Sequence, residues 1–319
     1  MKSSSVIVVA MSLLLLSASS VAEDRPPPVD DWTNEVVVVR AQQSGPAFWH
    51  LSRGDSEIWI LGTLGPMPEK LGWDTTQLAQ VIDGARVVLM PPEASANIFE
   101  IGWFLLTNSS VLSIPEGKTL EETLPPDLRA RFVAARESIK RGADRYEDDP
   151  PVVAALKLEN DFSKANELSW DEPRQTVEKT ARKAHVKVRN IADYSALAMV
   201  KEFLRLPPEA GRACLENAVS DVEIRSVHAV PAADAWAVGD VKGIKANYSP
   251  GNLEKCAKLT VSFSKLYERG VNDSLAAIDD ALAKPGKTVM LVDIGSLLRN
   301  TGVAEKLRAH GVVIEGPAE

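Results

Sequence analysis

The chain has 319 residues, of which 45% are hydrophobic and 25% charged, the proportions of an ordinary globular protein with ample length for a full core. Its net charge of −8 argues against a nucleic-acid or anionic-lipid partner, since both favour a basic surface. The densest basic stretch, Lys179, Arg182, Lys183, Lys187 and Arg189, starts in a predicted helix and reads as a solvated face.

The first 22 residues read as an export signal. Lys2 gives a positive start, Val6 to Leu16 is an apolar run broken only by Ser12, and Ser20-Val21-Ala22 is a small-x-small cleavage site. The run is too short for a membrane span, which needs roughly 20 residues. Cleavage after Ala22 would leave 319 − 22 = 297 residues, periplasmic or secreted, with no later segment suited to cross a membrane. Residues 23–45 form a Pro-rich, acidic tail containing Pro26-Pro27-Pro28, Asp30 and Asp31. Within it the β-branched run Val36 to Val39 suits an edge strand. Residues 46–319 are expected to form a single domain.

That domain opens with two apolar runs, Ala47 to Leu51 and Glu57 to Leu61, joined by a turn containing Gly54, which predicts a β-hairpin. A helix follows, with Asp74 as its N-cap and Gln77 completing a capping box. Gly84 stops it, and Arg86 to Met90 is a buried strand. The middle is helical. Pro125-Pro126 and Pro150-Pro151 start two helices, and further helices fit Arg174 to Lys183, Tyr194 to Leu204, Ala213 to Val222, a stretch around Trp236, and Leu266 to Ala283. The end returns to strand at Thr288 to Val292, helix at Val303 to Ala309 and strand at Val312 to Ile314. The expected fold class is α/β, a mixed central sheet built from both chain ends with a large helical insertion.

Two cysteines, Cys214 and Cys256, form an even pair in a chain read as exported, which predicts a disulfide between two helices of the insertion.

Two segments share one design, an apolar strand running into a tight Gly-containing turn. They are Ile58-Trp59-Ile60-Leu61-Gly62-Thr63-Leu64-Gly65 and Met290-Leu291-Val292-Asp293-Ile294-Gly295-Ser296-Leu297. Strand ends are where α/β folds tend to place their chemistry. On these segments, and on Gly311 after Leu307, the chain resembles the TraB/GumN family, related to the Tiki proteins and to erythromycin-esterase-like enzymes. In that family a strand ends in Gly-Thr-(Ile/Leu)-His, a second strand ends in Glu, and a third leads into Gly-x-Gly-His-Leu. The resemblance runs from Phe48 to Ile314 and implies His and Glu groups acting as metal ligands or as acid and base. This chain departs from it. Gly65 stands at the first His, Met90 at the Glu, Ser296 at the second His, and Asp293 at the first Gly of the last motif. Glycine, methionine and serine neither bind a divalent metal well nor activate water.

Substitutes are few. Asp293 at a strand end, Ser296 and Glu93 are the candidate catalytic residues; a helix or turn cap is the plainer role for Asp293, and surface charge for Glu93. His50 sits in the first strand, and none of the four histidines has metal-ligand spacing. Arg269 keeps the position of a motif Arg, beside Glu268. No metal and no cofactor is expected, and no nucleophile elbow, Walker loop or dinucleotide fingerprint is present. Two functions stay open. One is an exported protein that binds an envelope peptide, protein or glycan without hydrolysing it. The other is a divergent, metallopeptidase-like hydrolase, metal-dependent or not, using Asp293, Ser296 and Glu93, with His50 as a further candidate.

Overall fold

The computed structural model describes residues 38–40, 44–114, 117–248, 251–299 and 302–317. The expected export signal and nearly all of the expected tail lie outside them. Seven strands form one mixed sheet, in spatial order Val38–Arg40, Ile314–Pro317, Phe48–Arg53, Ser56–Thr63, Gly286–Asp293, Val87–Met90 and Val188–Asn190. Phe48–Arg53 and Ser56–Thr63 pair antiparallel as the predicted hairpin. Gly54 turns it at φ 58°, a left-handed conformation that glycine adopts without a Cβ penalty.

The centre of the sheet is parallel. Gly286–Asp293 lies between Ser56–Thr63 and Val87–Met90, bonded to both. Its Val289, Met290 and Leu291 are all buried, as a strand covered on both faces requires. The sheet is thus built from both chain ends, with a helical insertion between. The insertion also returns one strand, Val188–Asn190, which pairs parallel with Val87–Met90 and was not anticipated. Three residues are too few to show a period of two.

The insertion has its own apolar cluster, including Phe132, Tyr146, Leu158, Phe162 and Leu215, apart from the cluster around the sheet. One helix, Pro208–Ala237, joins them. Leu215 and Val219 pack in the insertion, while Ala233 and Trp236 pack against the sheet. Sequence reasoning divided this helix into two stretches. It is continuous over 30 residues and passes through Pro231, because buried side chains on both sides hold it despite the missing N–H. A disulfide joins Cys214 on this helix to Cys256 on Asn252–Ala257, with Cα atoms 5.2 Å apart.

Other differences are local. Asp74 accepts from the Thr76 N–H at 2.8 Å, but the helix Thr76–Ile82 has Thr75 as its N-cap and no side-chain cap bond. Residues Asp193–Ser195 are extended and pair with Glu93–Ser95, so the following helix is shorter, Leu197–Leu204. The closing strand is Ile314–Pro317, starting two residues later than expected. A helix at Ile98–Thr107 was missed. It is apolar almost all round, with Ile98, Phe99, Trp103 and Leu106 exposed, which hides a one-sided stripe.

Candidate functional site

The parallel strands end together, and their C-terminal ends face the insertion across a cleft. Thr63 and Asp293 are partners in register at this edge. After Asp293 the chain turns at once into the short helix Ile294–Leu298. The Asp293 carboxylate accepts from the Ser296 backbone N–H at 2.8 Å and caps that helix, the plainer of its two predicted roles.

The cleft has two lobes. One, of about 590 Å³, is lined by Gly65, Glu159, Trp170, Arg225, Tyr248 and Glu254 among others. The second, of about 350 Å³, is lined by Pro91, Tyr194, Met199 and Leu291. Asp293 and Ser296 line both lobes, as do Phe263 and Tyr267, whose rings stack with centroids 6.3 Å apart. Asp293 lies deep in the molecule yet is open to the cleft. Desolvation raises its carboxyl above the ordinary range and nearby Glu254 adds to the rise; the hydrogen bonds from Ser296 and the charge of Arg299 oppose it.

The residues at the motif positions are distributed as follows. A Cβ built on Gly65 would stand 2.9 Å from Cε3 of Trp170, so the indole fills the space a side chain there would need. Gly295 is held close by Tyr248, whose hydroxyl would collide with a Cβ. Gly62 likewise has Trp49 within 2.7 Å of a hypothetical Cβ. Met90 is fully buried in the core. The Thr63 hydroxyl donates to the Val292 carbonyl at 3.3 Å, tying the two strand ends together.

The remaining candidates do not join Asp293 and Ser296. Glu93 pairs with Arg174 at 3.0 Å and accepts from Asn190 at 3.2 Å. Its neighbours Pro92 and Ala94 line the smaller lobe, while Glu93 itself does not. His50 sits opposite Trp59, about 13 Å along the strand from Thr63. There its ring lies between Glu57 at 3.3 Å and Glu315 at 3.2 Å. Arg269 stacks on the Tyr194 ring at 4.9 Å and lies 3.7 Å from Asp273, while Glu268 is exposed.

The metal-ligand set that the resemblance implies does not fit these positions. Gly65 offers no donor and is covered by Trp170, and Met90 faces the core. Among the described residues no group of three His, Cys, Asp or Glu is placed to hold a metal ion.

The insertion contributes groups that sequence reasoning missed. Glu159, on the helix Pro151–Ala165, forms an ion pair with Arg225 of the long helix. Burial, reinforced by the neighbouring Asp221, pushes the Glu159 carboxyl up to about 8, against the pull of Arg225. Across the lobe Arg299 lies 3.5 Å from Glu254, and burial with nearby Asp293 raises the Tyr248 hydroxyl above its ordinary range. One signal was available. Glu159 falls four residues after buried Ala155 and seven after buried Val152, a carboxylate on a buried stripe.

Among the described residues no helix is long and apolar enough to cross a membrane. The model of the TraB/PrgY/gumN family matches residues 47–316. No curated protein and no solved structure matches the chain.

Proposed function

The chain belongs to the TraB/PrgY/gumN family, and on that premise we propose that it is an exported binding protein that has lost the family's hydrolytic chemistry. Its cleft takes an envelope peptide, protein or glycan in the periplasm or outside the cell. The observation that carries this reading is the Trp170 ring against Gly65. The place from which a histidine would reach the cleft is occupied by an aromatic surface, which suits holding a ligand more than activating water. Export is supported by Lys2, the apolar run Val6 to Leu16 and the Ser20-Val21-Ala22 site.

A photo-crosslinking residue in place of Ser296, on the cleft floor, tests the binding role in the source cell. The expected product is one class of envelope adduct, identified by mass and lost when Trp170→Ala is added. Failure to form any adduct, or recovery of the ligand in cleaved form, would count against it.

A second reading keeps a hydrolase without the family's metal set. What favours it is that Asp293, Ser296 and Glu159 line one lobe, and that both carboxyls have raised proton affinity, as an acid catalyst needs. Under that reading Asp293→Asn and Ser296→Ala would each abolish a turnover that the intact protein performs.

A further inference from the structure

We infer that the smaller lobe of the cleft is a subsite for an unbranched alkyl chain carried by the ligand. The inference rests on the binding reading above and narrows it to an acylated ligand. The lobe holds about 350 Å³. Its floor is made by Leu291, Val292 and Val303, all buried in the sheet's core, and its sides by Met199, Leu266 and Val271. A methylene occupies about the volume of a water, roughly 30 Å³, so the lobe takes a chain of about ten carbons. A leucine or phenylalanine side chain would leave about half of it empty.

The polar groups of this lobe are divided between its two ends. Away from the larger lobe, the Tyr194 hydroxyl donates to Asp273 at 2.6 Å and the Ser274 hydroxyl to the Gly270 carbonyl at 2.8 Å. Pro91 and Pro92 bring no backbone N–H to the wall. A polar ligand group entering there would give up water and find both hydroxyl protons already committed. The other polar side chains, Tyr267, Asp293 and Ser296, also line the larger lobe. The ligand's polar part is held at that border and its apolar part beyond it.

Gly270 points the same way independently. It stands well inside the helix Val261–Leu282, on the wall of the lobe. Its backbone is not left-handed, and a Cβ built there would meet nothing nearer than Pro92 at 3.9 Å, an ordinary contact. Neither conformation nor close packing requires glycine here, and glycine weakens a helix relative to alanine. What it provides is open space in the lobe. Filling apolar space with an apolar chain releases water and is favourable.

The test is calorimetric titration of the full chain with N-acylglycinamides of increasing chain length, each below its micelle concentration. Affinity should rise about fourfold per added methylene and level off near about ten carbons, where the lobe is full. Gly270→Leu should lower that length by about four carbons, the size of the side chain it brings, and Gly270→Ala by about one. Neither should lower the melting temperature, since both residues favour a helix more than glycine does. If the leucine variant does not fold, the alanine variant reads the same shift on a smaller scale. No binding, affinity that keeps rising with length, tighter binding of an indoleacetyl probe than of the decanoyl one, or indifference to the substitutions would overturn the subsite. The crosslink at Ser296 keeps the two claims apart. An envelope adduct with no alkyl chain in its mass, which the decanoyl probe does not displace, retains the binding reading and removes the subsite. Levelling off at the expected length without any envelope adduct does the reverse. An adduct that carries the chain supports both, and its mass tells a free lipid from an acylated peptide, protein or glycan.

Discussion

Trp236 donates from its indole N–H to the Gly62 carbonyl at 2.7 Å, in the buried interior. The bond fastens the long helix to the strand whose last residue, Thr63, pairs in register with Asp293 on the cleft floor. Trp236→Phe would leave the Gly62 carbonyl without this donor. The expected cost is about 1–3 kcal/mol for the orphaned acceptor, with a further loss from the void left by the smaller ring. Urea unfolding should show a lower midpoint with an unchanged slope. A change below about 0.5 kcal/mol would mean that the bond contributes nothing.

Gly65 and Trp170 should be energetically coupled. Gly65→Ala forces the ring aside in the wild type but not in Trp170→Ala. A double-mutant cycle should return an interaction energy of roughly 0.5–3 kcal/mol. Strict additivity would show that the ring does not rest on residue 65.

The pH dependence of stability has a definite sign. The Glu159 carboxyl moves from an ordinary 4.5 to about 8 in the folded protein, so folding favours its protonated form. Stability from this group is full below pH 4.5, declines as pH rises from there to about 8, and is flat above. Asp293 shifts in the same direction, so the informative quantity is the difference between variants. The melting temperature of wild type should fall more steeply from pH 5 to 8 than that of Glu159→Gln. Parallel curves would remove Glu159 from this role.

The Cys214–Cys256 bond closes a loop of 42 residues. Chain entropy alone gives roughly 4 kcal/mol for a loop of that size. Unfolded, unreduced protein should titrate with near-zero free thiol, and reduction should lower the unfolding midpoint accordingly. Two free thiols per chain would contradict the bond.

Protein recovered from the source cell should begin at or near Glu23, read by N-terminal sequencing. A product starting at Met1 would overturn export.

Legibility followed local signal. Arg174–Lys183 and Val303–Ala309 were bounded correctly, because regular apolar spacing marks the first and Gly311 closes the second. The hairpin was legible from its alternating aromatic runs and turn. The cleft floor was half visible. Asp293 and Ser296 could be placed at a strand end because the strand before them is an unbroken apolar run. Their counterparts were not visible, since Glu159 and Arg225 stand 66 residues apart and meet only when the insertion folds. Trp170 has no local pattern at all, and its role depends on a glycine more than a hundred residues earlier.

Ser56–Thr63 and Val87–Met90 each bond to Gly286–Asp293, which enters between them from far down the chain. A nascent polypeptide therefore carries a gap at the middle of its sheet until almost the whole of it has been made. Both early strands keep an unpaired edge through that interval, and such edges recruit other chains. Loss of the C-terminal segment would remove the centre of the sheet and leave its rims, so a truncated product should aggregate instead of persisting as a smaller fold.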